Sequence, residues 1–77
     1  MNVTHEELIV LLENVGTSVD LAQLKGDELL EEAGVDSLEV MNFLLEVEQK
    51  FGVKIPDADI DKLNTLNDVR NYLQQKS

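Results

Sequence analysis

Gly34-Val35-Asp36-Ser37-Leu38-Glu39-Val40-Met41-Asn42-Phe43-Leu44-Leu45-Glu46-Val47-Glu48-Gln49-Lys50-Phe51-Gly52 reads as one long amphipathic helix with both ends marked. Asp36 is a good N-cap, and Glu39 stands three residues later, the spacing at which cap and helix exchange hydrogen bonds. Val40, Leu44, Val47 and Phe51 recur at i, i+4, i+7 and i+11. At about 100° per residue Phe43 joins them on one face. Gly52 supplies the stop. Leu38, Met41 and Leu45 fall on a flank roughly 100–160° round from Val40. They are expected to be at least partly exposed, close to Ser37.

The segments on either side read as further helices. Thr4 and Glu7 form a capping box. Leu8, Leu11, Leu12 and Val15 follow on one helical face, and Gly16 closes a first helix running from about Thr4 to Val15. Residues 17–35 are less regular, although 27–32 could form a helical turn or two closed near Gly34. A connection of this length needs anchors, for which Leu21, Leu24, Leu29 and Leu30 are the candidates. Ile55 precedes Pro56 and should be extended. Ile60 and Leu63 point to a short third helix from about Asp57. Thr65 with Asp68 resembles another cap, and Leu66, Val69 and Leu73 give the face of a last helix. No strand-like alternation, internal repeat or low-complexity segment competes. The expected fold is all-α: a four-helix up-down bundle with a short third helix and a long loop between helices 1 and 2.

Seventy-seven residues, 43% of them apolar, make one domain over 1–77 with one modest core. That is too short for an enclosed active site with its own scaffold, so an enzyme is not expected. The absence of cysteine excludes disulfides and thiolate metal sites. The apolar run Leu8 to Leu12 is too short for a signal peptide or a membrane span, and no basic segment precedes it. The expectation is a soluble, monomeric, cytoplasmic protein.

The formal net charge is −10, and all of the excess lies in residues 1–50, with twelve acids against Lys25 and Lys50. Residues 51–77 hold four acids and four bases. Such a field repels nucleic acid and anionic membranes and attracts proteins with basic surfaces, although solubility alone also accounts for it.

Ser37 falls at the first position of the central helix, beside backbone amides that have no helical acceptor. The positive end of the helix dipole would favour a phosphodiester on its hydroxyl. From Asp36-Ser37-Leu38 alone, a helix-start serine is the plainer reading. A nucleophilic serine would need a base, and the single histidine, His5, reads as an exposed surface residue of another helix. Asp57, Asp59, Asp61 and Asp68 have part of the spacing of a twelve-residue calcium loop. Lys62 stands where that loop needs glycine and Asp68 where it needs glutamate, which leaves only weak, non-specific divalent binding as the expectation.

Taken together, Gly34 to Glu39, the helix ending Phe51-Gly52, Ile55-Pro56-Asp57, Thr65-Leu66 and the last helix resemble the acyl carrier protein family. Residues 1–16 fit its first helix, and 17–33 match least. The resemblance implies a carrier, not a catalyst. Ser37 would bear 4′-phosphopantetheine, whose thiol holds an acyl cargo as a thioester, and Asp36 would belong to the modification motif, helping the transferase position a metal and coenzyme A. It also implies a core that yields slightly to a fatty chain. The implied partners are a phosphopantetheinyl transferase and the synthase and acyl-transferring enzymes of fatty acid, polyketide or related biosynthesis, docking by basic surfaces. Their contacts would fall on Leu38, Glu39, Met41, Asn42, Leu45, Glu46 and Glu48. Association is expected to weaken with salt through Glu39, Glu46 and Glu48. In one respect the chain departs from the family: neutral Asn42 and Gln49, followed by Lys50, stand where acids are usual. That points to a dedicated partner set. Two alternatives stay open, an aminoacyl or peptidyl carrier and an unmodified helical adaptor that binds through the second helix.

Overall fold

The computed structural model describes residues 2–17 and 20–76. Residues 18 and 19, within the expected connection, lie outside the described residues. The elements are α1 (His5–Val15), a 3-10 turn (Leu21–Gln23), α2 (Ser37–Phe51), α3 (Asp57–Ile60) and α4 (Leu66–Lys76). No strand is present among the described residues. α1 packs against both α2 and α4.

Local chemistry explains the boundaries. At the start of α1 the Thr4 hydroxyl accepts from the Glu7 amide (3.2 Å) and the Glu7 carboxylate accepts from the Thr4 amide (3.1 Å). Val3, just before the cap, and Leu8, four residues after it, are both buried in the core. These are the two positions of a hydrophobic staple, which fixes the angle at which the chain enters the helix. α2 repeats the arrangement with Asp36, Glu39, Val35 and Val40. Gly16 and Gly52 close α1 and α2 in the left-handed region. At α4 the Thr65 hydroxyl accepts from the Asp68 amide (3.0 Å). The Asp68 carboxylate, however, accepts from Asn64 (3.2 Å), so this end carries a one-way cap instead of a box.

The core gathers Leu8, Leu11 and Leu12 of α1, Phe43, Leu44 and Val47 of α2, and Leu66, Val69 and Leu73 of α4. Leu24, Leu30, Val35, Ile55 and Leu63 come from the connections. Leu21 packs against this cluster at half burial. Leu29 corrects the sequence reading: it is 44% exposed, because the turn that sends Leu30 inward sends its neighbour out. Residues 27 and 28 form a bend, not a helix.

Candidate functional site

Ser37 is presented by two consecutive devices. The first is the turn before it. The Val35 amide donates to the Leu30 carbonyl (2.9 Å) and the Gly34 amide to that of Glu31 (3.2 Å). This is the double bond pattern of a Schellman end, and Gly34 takes the positive φ it needs, 108°. Leu30 and Val35, which flank the turn, are both buried and fix it to the core. The second device is the cap. Asp36 Oδ1 accepts from the Glu39 amide (2.8 Å), and Glu39 Oε1 accepts from the Asp36 amide (3.1 Å). The Asp36 carbonyl takes the Val40 amide (2.9 Å). The Ser37 and Leu38 amides are then the first-turn donors without a helical acceptor. The Ser37 side chain beside them is exposed.

A groove leaves Ser37 between α2 and α3, walled by Val40 and Met41 on one side and by Ile60, Asp61, Leu63 and Asn64 on the other, with Glu31 at its edge. It continues into a hollow of about 210 Å³ bordered by Leu29, Leu30, Val40 and Leu63. The segment over this hollow is tied to the start of α4. Leu30 N–H donates to the Asn64 carbonyl (2.9 Å), and Asn67 N–H donates to the Gly26 carbonyl (2.9 Å). Gly26 has φ +119, and a Cβ there would come to 2.5 Å from Asn67 Oδ1. Inside the same loop the Glu28 carboxylate accepts from the Lys25 amide (2.9 and 3.0 Å) and the Gly26 amide (2.9 Å). These bonds, first that of Lys25, hold the Glu28 carboxyl below its usual pKa of 4.5.

The residues singled out on α2 divide into two groups. Leu38, Met41 and Leu45 are 70%, 42% and 51% exposed and form an apolar row that starts beside Ser37. Asn42 is exposed and Glu46 half-buried. Glu39 is engaged in the cap. Glu48 Oε2 accepts from the Ile55 amide (2.8 Å), securing the chain after α2. No sequence signal was read for that bond, although an acid seven residues before a pre-proline extended residue was there to be noticed.

One other expectation changes. His5 is half-buried, and its Nε2 lies 3.1 Å from the Leu24 carbonyl, so the ring pins the long connection to α1. Nothing places it near Ser37. Of the calcium candidates, Asp57 and Asp59 lie within α3 and Asp59 accepts from the Tyr72 hydroxyl (2.7 Å). Asp68 is turned to Asn64. Among the described residues no three His, Asp or Glu side chains come together as metal donors. No described helix is long and apolar enough to cross a membrane.

The family model described as "Phosphopantetheine attachment site" matches residues 11–73. An acyl carrier protein of Thermotoga maritima is 34% identical over 68 residues, covering 87% of this chain and 82% of its own. One from Campylobacter hominis is 32% identical over 74 residues, covering 96% and 92%. The solution structure of the 5-phenyl-3-oxo-pentyl actinorhodin acyl carrier protein of Streptomyces coelicolor superposes with a TM-score of 0.80 at 24% identity, over 100% of this chain and 98% of that one, a likeness of fold. The chain therefore belongs to the acyl carrier protein family, as a phosphopantetheine-bearing carrier that works with transferase and synthase enzymes and is not itself a catalyst.

Proposed function

We propose that 1–77 acts as a single carrier domain in which Ser37 Oγ bears the 4′-phosphopantetheine, transferred from coenzyme A. The observation that carries the assignment is an exposed serine at the first position of α2, inside the matched segment. The fit is favourable on three counts. The hydroxyl is open to a transferase, the free Ser37 and Leu38 amides and the helix dipole suit a phosphodiester anion, and the groove toward Leu63 leaves room for an arm. The group supplies a terminal thiol for an acyl thioester. The chain's own residues do the rest. The Asp36–Glu39 box keeps Ser37 at the helix tip, and the Leu30–Val35 plug keeps that tip from moving. Leu29, Val40, Ile60 and Leu63 offer an apolar wall to the first part of a cargo.

The relatives' names support an acyl cargo over an aminoacyl one, in fatty acid, polyketide or related biosynthesis. Partners with basic surfaces are steered by the net charge of −10, which acts at a distance whatever the short-range contacts are. The test is intact mass before and after incubation with coenzyme A, magnesium and a broad-specificity phosphopantetheinyl transferase, beside Ser37→Ala. One phosphopantetheine gained by the native chain alone supports the reading. A folded, initially unmodified chain that gains nothing favours the unmodified adaptor, whose partner binding would survive Ser37→Ala.

A further inference from the structure

Asn64, in the loop between α3 and α4, is held at three of its polar atoms. Its amide donates to Asp68 Oδ2 (3.2 Å), its carbonyl accepts from the Leu30 amide (2.9 Å), and its side-chain Nδ2 donates to the Asp61 carbonyl (3.2 Å). The last bond settles which way the side-chain amide is turned, since an oxygen in place of Nδ2 would face another oxygen. The atom left over is Oδ1, an acceptor with no partner among the described residues. Asn64 borders both the groove that starts at Ser37 and the hollow beyond it. The other residues common to the two are Glu31, Val40 and Leu63. Val40 and Leu63 make this junction apolar. Glu31 is exposed, and among the described residues no bond fixes its carboxylate. The acceptor that the fold itself holds in place at the junction is therefore Asn64 Oδ1.

We propose that Asn64 is a positioning residue for the arm on Ser37. Its Oδ1 accepts the N–H of the arm's first amide, while Val40 and Leu63 take the paired methyl groups on the phosphate side of that amide. The inference rests on the carrier reading of Ser37. The arm is the occupant because it is tethered at the groove's mouth: Ser37 is itself one of the groove's wall residues. Tethering makes entry an intramolecular event, at an effective concentration far above that of a free molecule. The chemistry also matches. A plain alkyl chain would cover Val40 and Leu63 and leave Asn64 Oδ1 stripped of water and unpaired, whereas an amide N–H satisfies it. The carboxylates of Glu31 and Asp61, which also border the groove, suit the bond less well. Each would first have to be ordered, at a cost in side-chain entropy, whereas Asn64 is ordered already. The bond lies at an exposed rim and is correspondingly weak, as an arm that must later leave the groove requires.

The experiment uses the whole folded chain and, as probe, an isotopically labelled phosphopantetheine arm loaded as the free thiol onto the native chain, Asn64→Leu and Asn64→Asp. Leucine has a similar shape and no acceptor. Aspartate, ionised at neutral pH, keeps an acceptor at the same reach but, like leucine, cannot donate to the Asp61 carbonyl. A role confined to the Asp61 tie is therefore lost in both variants, and a role toward the arm is lost in Asn64→Leu alone. In the native chain the first amide proton of the arm should resonate away from its position in free pantetheine, with nuclear Overhauser contacts from the arm's methyl groups to Val40 and Leu63. Asn64→Leu should lower the docked-to-free ratio, read from that shift, about 3–10-fold, the value of one hydrogen bond. Asn64→Asp should keep the native ratio. Asn64 is exposed, and circular dichroism confirms folding of each variant. A loaded native chain whose arm resonates as free pantetheine does, an unchanged ratio in Asn64→Leu, or equal losses in both variants overturns this inference alone. A folded, initially unmodified native chain that takes up no arm overturns the carrier reading, and the inference with it.

Discussion

Asp36 holds two positions in the proposal, one structural and one chemical, and the structure shows how to separate them. Its Oδ1 accepts the Glu39 amide at 2.8 Å. Asp36→Ala removes that acceptor and a favourable negative charge at the helix N-terminus. Loss of the cap costs about 1 kcal/mol, within a range of roughly 0.5–2. The charge adds about 0.3–1 kcal/mol at an exposed helix end. The Glu39 amide then turns to water, so no buried-donor penalty is added. A domain of this size has a stability on the order of 4–12 kcal/mol, and a loss of 1–2 kcal/mol lowers Tm by roughly 5–15 °C. Asp36→Asn keeps an acceptor of equal capping quality and loses only the charge, so its Tm should fall by no more than about 8 °C. The resemblance gives the carboxylate a further use, in the transferase complex with metal and coenzyme A. Both variants should therefore load poorly, by about tenfold or more, the scale of a lost outer-shell metal contact. Thermal melting by circular dichroism and loading followed by mass read the two roles in one set of samples. Native-like loading of Asp36→Asn would reduce Asp36 to a cap. An unchanged Tm for Asp36→Ala would refute the capping argument itself.

Four further outcomes follow from the same geometry. Gly26→Ala should cost about 1–2 kcal/mol for its positive φ, with a further ~1 kcal/mol for moving the Asn67 side chain. Urea titration should show that second part recovered in Gly26→Ala/Asn67→Ala, and equal costs in both backgrounds would refute the contact. The lowered Glu28 pKa means that its carboxylate stabilises the fold above the unfolded value of 4.5 and stops doing so as pH falls through the folded value. The stability gap between the native chain and Glu28→Gln should thus be widest at neutral pH and shrink in acid, and a gap independent of pH speaks against the loop bonds. Phe43→Leu, at a fully buried site, should cost about 1–2 kcal/mol in urea titration. Tyr72→Phe, which deletes the bond to Asp59, should speed amide exchange at Lys62 and Leu63 about fivefold, the value of one hydrogen bond of about 1 kcal/mol. Equal acceleration throughout α2 would mean that the bond supports the whole fold instead of α3.

What the sequence disclosed was whatever is encoded locally. Thr4 with Glu7 and Asp36 with Glu39 each placed a helix start to the residue, because both partners of a capping box lie within one turn. The exposed flank of Leu38, Met41 and Leu45 followed from helical angle alone, since a helix cannot turn every side inward. Contacts set by the fold were not legible. Whether Leu29 or Leu30 faces the core depends on the turn at Gly34 and on the Asn64 carbonyl, which is 34 residues away from Leu30 in the chain. The position of His5 depends on where the long connection passes, and that of Glu48 on the return of Ile55. Both residues look like surface polar groups until their acceptor or donor is known. The Ser37 assignment had a mixed basis: the helix start was physical, the chemistry came from resemblance.

The groove beside Ser37 and the hollow it runs into lie against α2, and the two segments that border them, the connection from Gly26 to Val35 and α3, are built to different strengths, which bears on how a cargo is admitted. The wall from Gly26 to Val35 is held by buried Leu30 and Val35, two bonds to the start of α4, a Schellman end and the Glu28 loop closure. The facing wall is α3, four residues long, with no buried side chain and no side-chain cap at Pro56. Among the described residues its side-chain ties include the Tyr72–Asp59 bond and a 4.0 Å Lys62–Asp59 pair, which is exposed on the lysine side and so contributes little. A chain of methylenes too long for the hollow of about 210 Å³ beside Val40 must displace something, because the core beyond it is close-packed. Displacing α3 breaks one strong hydrogen bond and uncovers half-buried Ile60. Displacing the opposite wall breaks several and uncovers buried leucine and valine. Opening at α3 is therefore the cheaper path, and it leaves the Asp36 cap and Ser37 where they are. Cargo could then be accommodated without disturbing the surface that partners read.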